Sequence, residues 1–399
     1  MLSVYSTIRE TTIGQGRKER LQPNDKPGKN RITGFFLKHR GPKLSTILKP
    51  VGLAFFLYLF ILSITLLGAS FKLFGKEFAE TLLTTTSNPI VGLFIGILAT
   101  SIIQSSSTTT SILVGMVAGG LISIEGAIPI VMGANIGTTV TNTLVSLTHV
   151  ARTRDFVRAF SGAVVHDIFN MLLVIILFPL QYFTNFLGRT ALWLEGFFEG
   201  AGGFQFLSPI KAITKPMSNL IIDLLGQNSW LSALVAIALL FVALKFMVDI
   251  MKSLVLSRVE GFFSRYIFRN TATALLFGIL LTAVVQSSSI TTSIIVPLVG
   301  AGVLSLRQVF PYTVGANIGT TITAILAALV TQMPAAVAVA FAHLIFNICG
   351  ILIFIPLASV PITVAKRLSR LTLRYKFIPI VFIVLIFFLI PLVLIYLLR

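Results

Sequence analysis

Residues 96–147 of this chain recur in closely similar form as residues 278–329: the first stretch reads GILATSIIQSSSTTTSILVGMVAGGLISIEGAIPIVMGANIGTTVTNTLVSL, and the second reads GILLTAVVQSSSITTSIIVPLVGAGVLSLRQVFPYTVGANIGTTITAILAAL. They align without a gap at an offset of 182, and 27 of 52 positions are identical. A second block, residues 163–180, pairs with residues 340–357 at an offset of 177. Similarity of this degree indicates that one segment was duplicated.

The composition around these repeats is that of a membrane protein. Of the 399 residues, 55% are apolar and only 11% are charged, whereas soluble chains average about 25% charged residues. No Asp, Glu, Lys or Arg occurs between Gln308 and Ala365, and Glu125 is the single one between Asn88 and Ala151. Backbone groups in such tracts must bond within helices or a closed barrel. Because the alternation typical of barrel strands is absent, we predict an all-α polytopic membrane protein.

The basic residues lie at the ends of the apolar runs. The net charge is +18, and residues 1–49 hold eleven Lys and Arg against three acids. This distribution follows the positive-inside bias and predicts a cytoplasmic N-terminus. It favours a topological role for the charge over nucleic-acid binding.

Apolar run lengths separate full spans from shorter elements. Runs near each QSSS cover only 89–103, 108–124, 272–285 and 290–306. A helix of fifteen residues is roughly 23 Å long, short of the ~30 Å hydrocarbon core. We therefore predict two re-entrant hairpins with QSSS at their tips. About seven full spans are predicted in addition, at 51–73, 127–148, 159–180, 231–251, 309–331, 335–358 and 377–397.

An odd number of crossings in each repeat makes the second repeat inverted relative to the first. Inverted repeats with interrupted helices are typical of secondary transporters, which bind their substrate near the midplane. The predicted organisation is a basic cytoplasmic tail (1–49), repeat 1 (50–184), an extracytoplasmic interfacial connector (185–229), repeat 2 (230–364), and a basic cytoplasmic loop with a C-terminal membrane helix (365–399).

The QSSS tips carry the first set of candidate ligands. A helix that begins at a tip presents free N–H groups to an anion, and one that ends there presents carbonyls to a cation. Hydroxyls act as donors or acceptors, so one cluster can serve an oxyanion and Na⁺. These candidates are Gln104, Ser105, Ser106, Ser107, Thr108, Gln286, Ser287, Ser288 and Ser289.

The GANIGTT motifs at 133–139 and 315–321 carry the second set. Their glycines fit either close helix packing or close approach to a ligand. Their polar members are Asn135, Thr138, Thr139, Asn317, Thr320 and Thr321, and each motif is followed by a further threonine, Thr141 or Thr323.

Polar residues outside these motifs have weaker claims. His166 and Asp167 are ionisable within a predicted span, which makes them functional candidates, but the repeat pairs Asp167 with Leu344. A satisfied structural histidine is the favoured alternative for His166. Asn88 and Asn270 are predicted helix caps.

The doubled QSSS and GANIGTT motifs resemble those of the sodium-dependent phosphate cotransporters, in their type II-like bacterial branch. The resemblance implies Na⁺-coupled movement of inorganic phosphate by alternating access, with Na⁺ shared among Gln104, Ser105, Gln286, Ser287 and Thr321. It implies no enzymatic activity and no cofactor besides the coupling ion. Because the chain has a single cysteine, Cys349, it cannot form an intramolecular disulfide, which favours a bacterial inner membrane. Two alternatives stay open: a carrier or exporter of another small anion such as sulfate or a dicarboxylate, and a passive anion channel.

Overall fold

The computed structural model describes residues 42–201, 208–259 and 267–398. Most of the predicted tail 1–49 therefore lies outside the described residues, and chain contacts divide the protein into units 1–48 and 49–399. Within the described ranges every regular element is a helix, as the sequence predicts. Those of the first half are α1 (Pro42–Lys72), α2 (Gly75–Thr85), α3 (Pro89–Ile103), α4 (Ser106–Ala118), α5 (Ile124–Gly137), α6 (Val140–Ser146), α7 (Thr153–Thr184), α8 (Phe186–Gly200) and α9 (Ser208–Leu224).

The second half begins with α10 and repeats the short helices that surround QSSS. Its helices are α10 (Ser229–Val259), α11 (Thr271–Val285), α12 (Ser288–Ser293), α13 (Ile295–Gly300), α14 (Leu306–Thr331), α15 (Pro334–Phe354), α16 (Ser359–Arg370), α17 (Ile378–Ile383) and α18 (Ile390–Leu398). A π-helical stretch, Val384–Leu389, joins α17 to α18, and 3₁₀ turns occupy Leu147–His149, Ile267–Arg269 and Leu371–Leu373.

Six described helices are long and apolar enough to cross a membrane, and the number rises to seven if the bent pair α2–α3 counts as one span. The six are Leu48–Lys72, Thr153–Thr184, Ser229–Leu254, Leu306–Thr331, Pro334–Phe354 and Ile378–Leu398. The predicted span 127–148 differs from expectation, because it is divided into α5 and α6 at Thr138 and Thr139. The equivalent segment of repeat 2 is uninterrupted within α14.

Both QSSS sequences lie between two short helices, and side-chain caps begin those helices. Asn88 accepts a hydrogen bond from the Ile90 N–H at the start of α3, and Asn270 accepts one from the Thr273 N–H at the start of α11. Both predicted caps are confirmed. Ser123 and Ser305, which occupy equivalent repeat positions, cap α5 and α14 in the same way.

Glycine allows the short helices to touch their neighbours backbone to backbone. A Cβ atom at Gly96 would lie 2.0 Å from the Ile130 carbonyl oxygen, and one at Gly278 would lie 2.2 Å from that of Tyr312. Within the GANIGTT motifs, a Cβ atom at Gly133 would lie 2.0 Å from the Leu93 oxygen. Small residues permit such close approach between membrane helices. Of the two roles predicted for these glycines, close packing is the one that the geometry supports.

Burial separates the central helices from the peripheral ones. In the most apolar window of α14, 72% of residues are buried, against 28% for the segment Ile378–Leu398. The central core includes Phe169, whose ring contacts Phe310 and Phe354 with centroid distances of 5.9 and 5.5 Å. The repeat helices thus form the packed centre that holds the two QSSS segments.

Candidate binding site

The two QSSS segments form tips of nearly identical backbone shape. Gln104 has φ 60° and ψ 22°, and Gln286 has φ 61° and ψ 22°, so both glutamines adopt the left-handed conformation. The serines that follow are extended, with φ −151° at Ser105 and −150° at Ser287. Left-handed backbone is uncommon outside glycine and persists where surrounding contacts require it. The left-handed glutamines end α3 and α11, and α4 and α12 begin after the extended serines that follow.

A threonine beyond each GANIGTT motif holds the glutamine side chain. The Thr141 hydroxyl donates to Gln104 Oε1 at 2.8 Å, and the Thr323 hydroxyl donates to Gln286 Oε1 at 3.2 Å. Each glutamine Nε2 donates back to the helix that precedes it, Gln104 to the Ser101 carbonyl and Gln286 to the Ala283 carbonyl. QSSS and the end of GANIGTT are therefore adjacent in each repeat, as the two sets of candidate ligands require.

The two tips also contact each other and the opposite repeat. The Ser107 hydroxyl donates to the Gln286 carbonyl oxygen at 3.3 Å, which joins the first tip to the second. Its repeat mate, Ser289, donates to the Thr138 carbonyl oxygen at 3.0 Å. That carbonyl lies at the break between α5 and α6, where regular helical hydrogen bonding ends. Ser106 and Ser288, the first residues of α4 and α12, are buried behind the tips.

The hydroxyls of Ser105 and Ser287 cap helices but are satisfied to different degrees. Ser105 Oγ accepts from the Thr108 N–H at 3.2 Å and from the Thr108 hydroxyl at 2.9 Å. Ser287 Oγ accepts from the Ile290 N–H at 3.4 Å, and isoleucine has no hydroxyl to add. A hydroxyl has two lone pairs and one O–H. Ser105 therefore has both lone pairs engaged and its O–H available, whereas Ser287 keeps a lone pair.

The GANIGTT threonines direct their protons into their own helices. Thr138 and Thr320 donate to carbonyls one turn earlier, at 2.9 and 3.1 Å. Thr139 and Thr321 donate to the carbonyls of Ile136 and Ile318, at 3.3 and 2.7 Å. A hydroxyl that donates to a carbonyl presents its lone pairs outward, the orientation that suits a hard cation.

Asn135 and Asn317 are held by histidines of the opposite repeat. His166 Nε2 lies 2.6 Å from Asn317 Oδ1, and His343 Nε2 lies 3.3 Å from Asn135 Oδ1. Because an amide oxygen only accepts, each Nε2 carries the proton. The Nε2 bond fits the structural role favoured for His166, but its Nδ1 is buried without a hydrogen-bond partner among the described residues, so the histidine is only partly satisfied. Like Gln104 and Gln286, these two predicted ligands have side-chain amide oxygens that already accept hydrogen bonds within the protein.

Several polar residues at this interface were missed by sequence reasoning. Asn142 Nδ2 donates to the Thr292 hydroxyl at 2.8 Å, and its Oδ1 accepts from the Ser293 hydroxyl at 2.8 Å, so α6 is joined to α12. Asn170 bonds to both GANIGTT asparagines. The one available signal was the repeated block that pairs Asn170 with Asn347. Asp167 is fully buried, and neither carboxylate oxygen has a hydrogen-bond partner among the described residues.

Taken together, the tips form one cluster of neutral hydroxyl, amide and backbone oxygens with hydroxyl and N–H donors. The chain matches the Na⁺/Pi-cotransporter family over residues 59–197 and 239–356, which include both QSSS and both GANIGTT segments. The chain belongs to this family. Its members are transporters, not enzymes.

Several sodium-dependent phosphate transport proteins are similar to this chain over most of its length. Sodium-dependent phosphate transport protein 2A of sheep is 34% identical over 87% of this chain and 67% of its own length, and the rat protein is 34% identical over 88% and 69%. Human sodium-dependent phosphate transport protein 2B is 32% identical over 84% of this chain and 63% of its own length. No solved structure matches the chain.

Proposed function

We propose that this protein moves inorganic phosphate across a membrane together with Na⁺, by alternating access to one site formed by both QSSS tips. The observation that carries this proposal is the contact between the tips, where the Ser107 hydroxyl reaches the Gln286 carbonyl at 3.3 Å. The matched bonds from Thr141 to Gln104 and from Thr323 to Gln286 support two equivalent halves. Family membership and the names of the similar proteins give the substrates.

The pattern of occupied lone pairs suggests how the two ligands divide the site. Ser105, with its lone pairs engaged by Thr108, is suited to donate its O–H to a phosphate oxygen. Ser287 and Thr321 keep outward lone pairs, which are suited to Na⁺. We therefore assign Ser105 to the phosphate side and keep Gln104, Gln286, Ser287 and Thr321 as the proposed Na⁺ ligands. This narrows the sodium set that the sequence predicts.

Three contacts support hairpins that enter from opposite faces. Gly302, at the open end of the second hairpin, lies beside Arg158 near the start of α7, because a Cβ atom at Gly302 would be 2.5 Å from Arg158 Nη1. Phe382 packs near that same end, with its ring centroid 6.4 Å from that of Phe160. Leu398 lies 16 residues further along the chain from Phe382, a distance of about 24 Å in a helix. The Leu398 carbonyl accepts from Asn88 at the open end of the first hairpin at 3.1 Å.

The positions of the basic residues support placing the end of the protein at which α7 begins in the cytoplasm. Arg152, Arg154 and Arg158 are exposed there, and the positive-inside bias assigns such clusters to the cytoplasmic face. The exposed basic residues of α16 and the following turn, Lys366, Arg367, Arg370, Arg374 and Lys376, belong to the same proposed face. The N-terminus would then be cytoplasmic, and α8 and α9 would form the extracytoplasmic connector. We propose the bacterial inner membrane as the location.

Flux into proteoliposomes tests the proposal. Labelled phosphate uptake should follow an inward Na⁺ gradient and should fall to the background level when K⁺ replaces Na⁺. Excess sulfate or dicarboxylate should leave uptake within about twofold, and counterflow of preloaded phosphate should be measurable. Equal uptake without Na⁺ would contradict sodium coupling, full competition by sulfate would favour the other-anion carrier, and flux without saturation or counterflow would favour a channel.

A further inference from the structure

A chain of buried hydrogen bonds crosses the interface between the two repeats. His166 Nε2 donates to Asn317 Oδ1 at 2.6 Å, Asn317 Nδ2 donates to Asn170 Oδ1 at 2.7 Å, and Asn170 Nδ2 donates to the Asn135 carbonyl at 2.8 Å. His343 Nε2 completes it at Asn135 Oδ1, at 3.3 Å. All five residues are at most 5% exposed.

The chain contains bonds that occur twice and bonds that occur once. His166–Asn317 and His343–Asn135 are equivalent under the repeat, because His166 pairs with His343 and Asn135 with Asn317. The two bonds of Asn170 have no counterpart. Its mate, Asn347, instead donates to the His343 carbonyl of its own helix at 3.1 Å, and its Oδ1 is buried without a partner among the described residues.

The partner that symmetry would give Asn347 is also occupied elsewhere. In the counterpart of the Asn317–Asn170 bond, Asn135 Nδ2 would donate to Asn347 Oδ1, but Asn135 Nδ2 donates to the Val131 carbonyl at 2.9 Å. An unpaired buried oxygen is unfavourable, and buried amide oxygens are nearly always bonded. The same residues therefore have a second arrangement available, in which Asn347 bridges the repeats and Asn170 does not.

We propose that Asn170 and Asn347 are positioning residues that alternate between the two ends of the transport cycle. In the state described here, Asn170 holds the Asn135 and Asn317 segments together. In the state with the opposite access, Asn347 donates to the Asn317 carbonyl and accepts from Asn135 Nδ2, while Asn170 returns to the His166 carbonyl of its own helix. The two His–Asn bonds persist in both states and act as the fixed part of the interface.

This inference rests on the proposed alternating access, because it assigns one asparagine to each access state. Each substitution should remove two hydrogen bonds from one state and one from the other, and this net difference of about one hydrogen bond corresponds to roughly a fivefold change in the population ratio. A change in that ratio alters the half-saturation concentrations on the two sides in opposite directions, because only the competent state binds from each side.

The experiment compares Asn170→Ala and Asn347→Ala in the full-length protein. Sodium-dependent phosphate transport is measured in right-side-out and in everted vesicles, and the ratio of the two half-saturation concentrations is taken. We expect the ratio to move roughly fivefold in one direction for Asn170→Ala and roughly fivefold in the other for Asn347→Ala. The double variant should return to within about twofold of the unsubstituted protein.

Shifts in the same direction, or no shift in either variant, would overturn the inference. If Asn170→Ala does not reach the membrane, Asn347→Ala alone decides, since in this state Asn347 bonds only to its own helix among the described residues. An unchanged ratio in that variant would be sufficient to reject the alternation. Absence of sodium-dependent phosphate flux in the unsubstituted protein would instead contradict the proposed function.

Discussion

The two QSSS tips have nearly the same backbone shape, whereas the helices behind them follow different courses. In repeat 1, α4 is continuous and the GANIGTT helix is broken at Thr138 and Thr139. In repeat 2, the equivalent of α4 is divided into α12 and α13, while α14 is continuous. Pro297, which replaces Gly115 of the first repeat, lies just past the α12–α13 division. It lacks the N–H that would bond one turn back.

Similar sequences therefore take two arrangements within one chain. Both tips keep the left-handed glutamine and its threonine partner, so those contacts do not depend on which arrangement their repeat has adopted. Some contacts between the repeats do differ: Asn142 bonds to Thr292, and repeat 2 has Ala324 at the position of Asn142. The main difference is one of conformation, in which helix of each repeat is broken. Alternating access between inverted repeats requires this kind of difference.

The largest effect is expected from glycine substitutions, which test whether both repeats need the contact between helix backbones behind the tips. Gly96→Ala and Gly278→Ala would each place a Cβ atom within 2.0 or 2.2 Å of a carbonyl oxygen. Each should lower the free energy of unfolding by about 3 kcal/mol, the upper part of the range for overpacking. Thermal unfolding in detergent measures this loss of stability. Gly196→Ala is the matched control, since nothing lies within 4 Å of its Cβ position, and unchanged stability in either repeat variant would contradict the packing role.

A smaller effect is expected from substitutions of the two glutamines, which test whether the two tips are equivalent. Gln104→Ala and Gln286→Ala should each reduce sodium-driven phosphate uptake roughly tenfold to a hundredfold, because losing one partner of these partly buried hydrogen bonds should cost about 1–3 kcal/mol. Gln332→Ala is the control for backbone strain, because Gln332 is also left-handed, at φ 52°, but ends α14 away from the tips. Uptake that survives in one tip variant would mean that the tips are not two halves of one site.

Local sequence predicted the short helices and caps around the tips but not the contacts between repeats. The doubled motifs, the short apolar runs and the caps at Asn88 and Asn270 all follow from patterns along the chain. The break at Thr138 and Thr139 could not be predicted, because the same GANIGTT sequence is unbroken in α14. The His166–Asn317 bond joins residues 151 apart in sequence, and no local pattern encodes such a pairing. The assignment of ligands to particular side chains stays a prediction.

The smallest effect is expected from substitutions that change the hydrogen bonds of Ser105 and Ser287. Thr108→Val removes the hydroxyl that occupies a Ser105 lone pair, so the half-saturation concentration for phosphate should rise about fivefold while that for Na⁺ stays within about twofold. Ile290→Thr adds the missing hydroxyl beside Ser287 and should raise the Na⁺ value instead. Transport kinetics at varied phosphate and Na⁺ separate the two. Thr110→Val, which loses a bond within its own helix, is the control, and identical behaviour of Thr108→Val and Ile290→Thr would refute the division.

The central claim is that two QSSS tips make one site, and binding stoichiometry tests it most directly. Equilibrium binding of labelled phosphate to purified protein in Na⁺ should give one phosphate per chain. Gln104→Ala and Gln286→Ala should each weaken that single binding event, and replacing Na⁺ with K⁺ should remove it. Two phosphates per chain, with each variant losing one and keeping the other, would contradict the account.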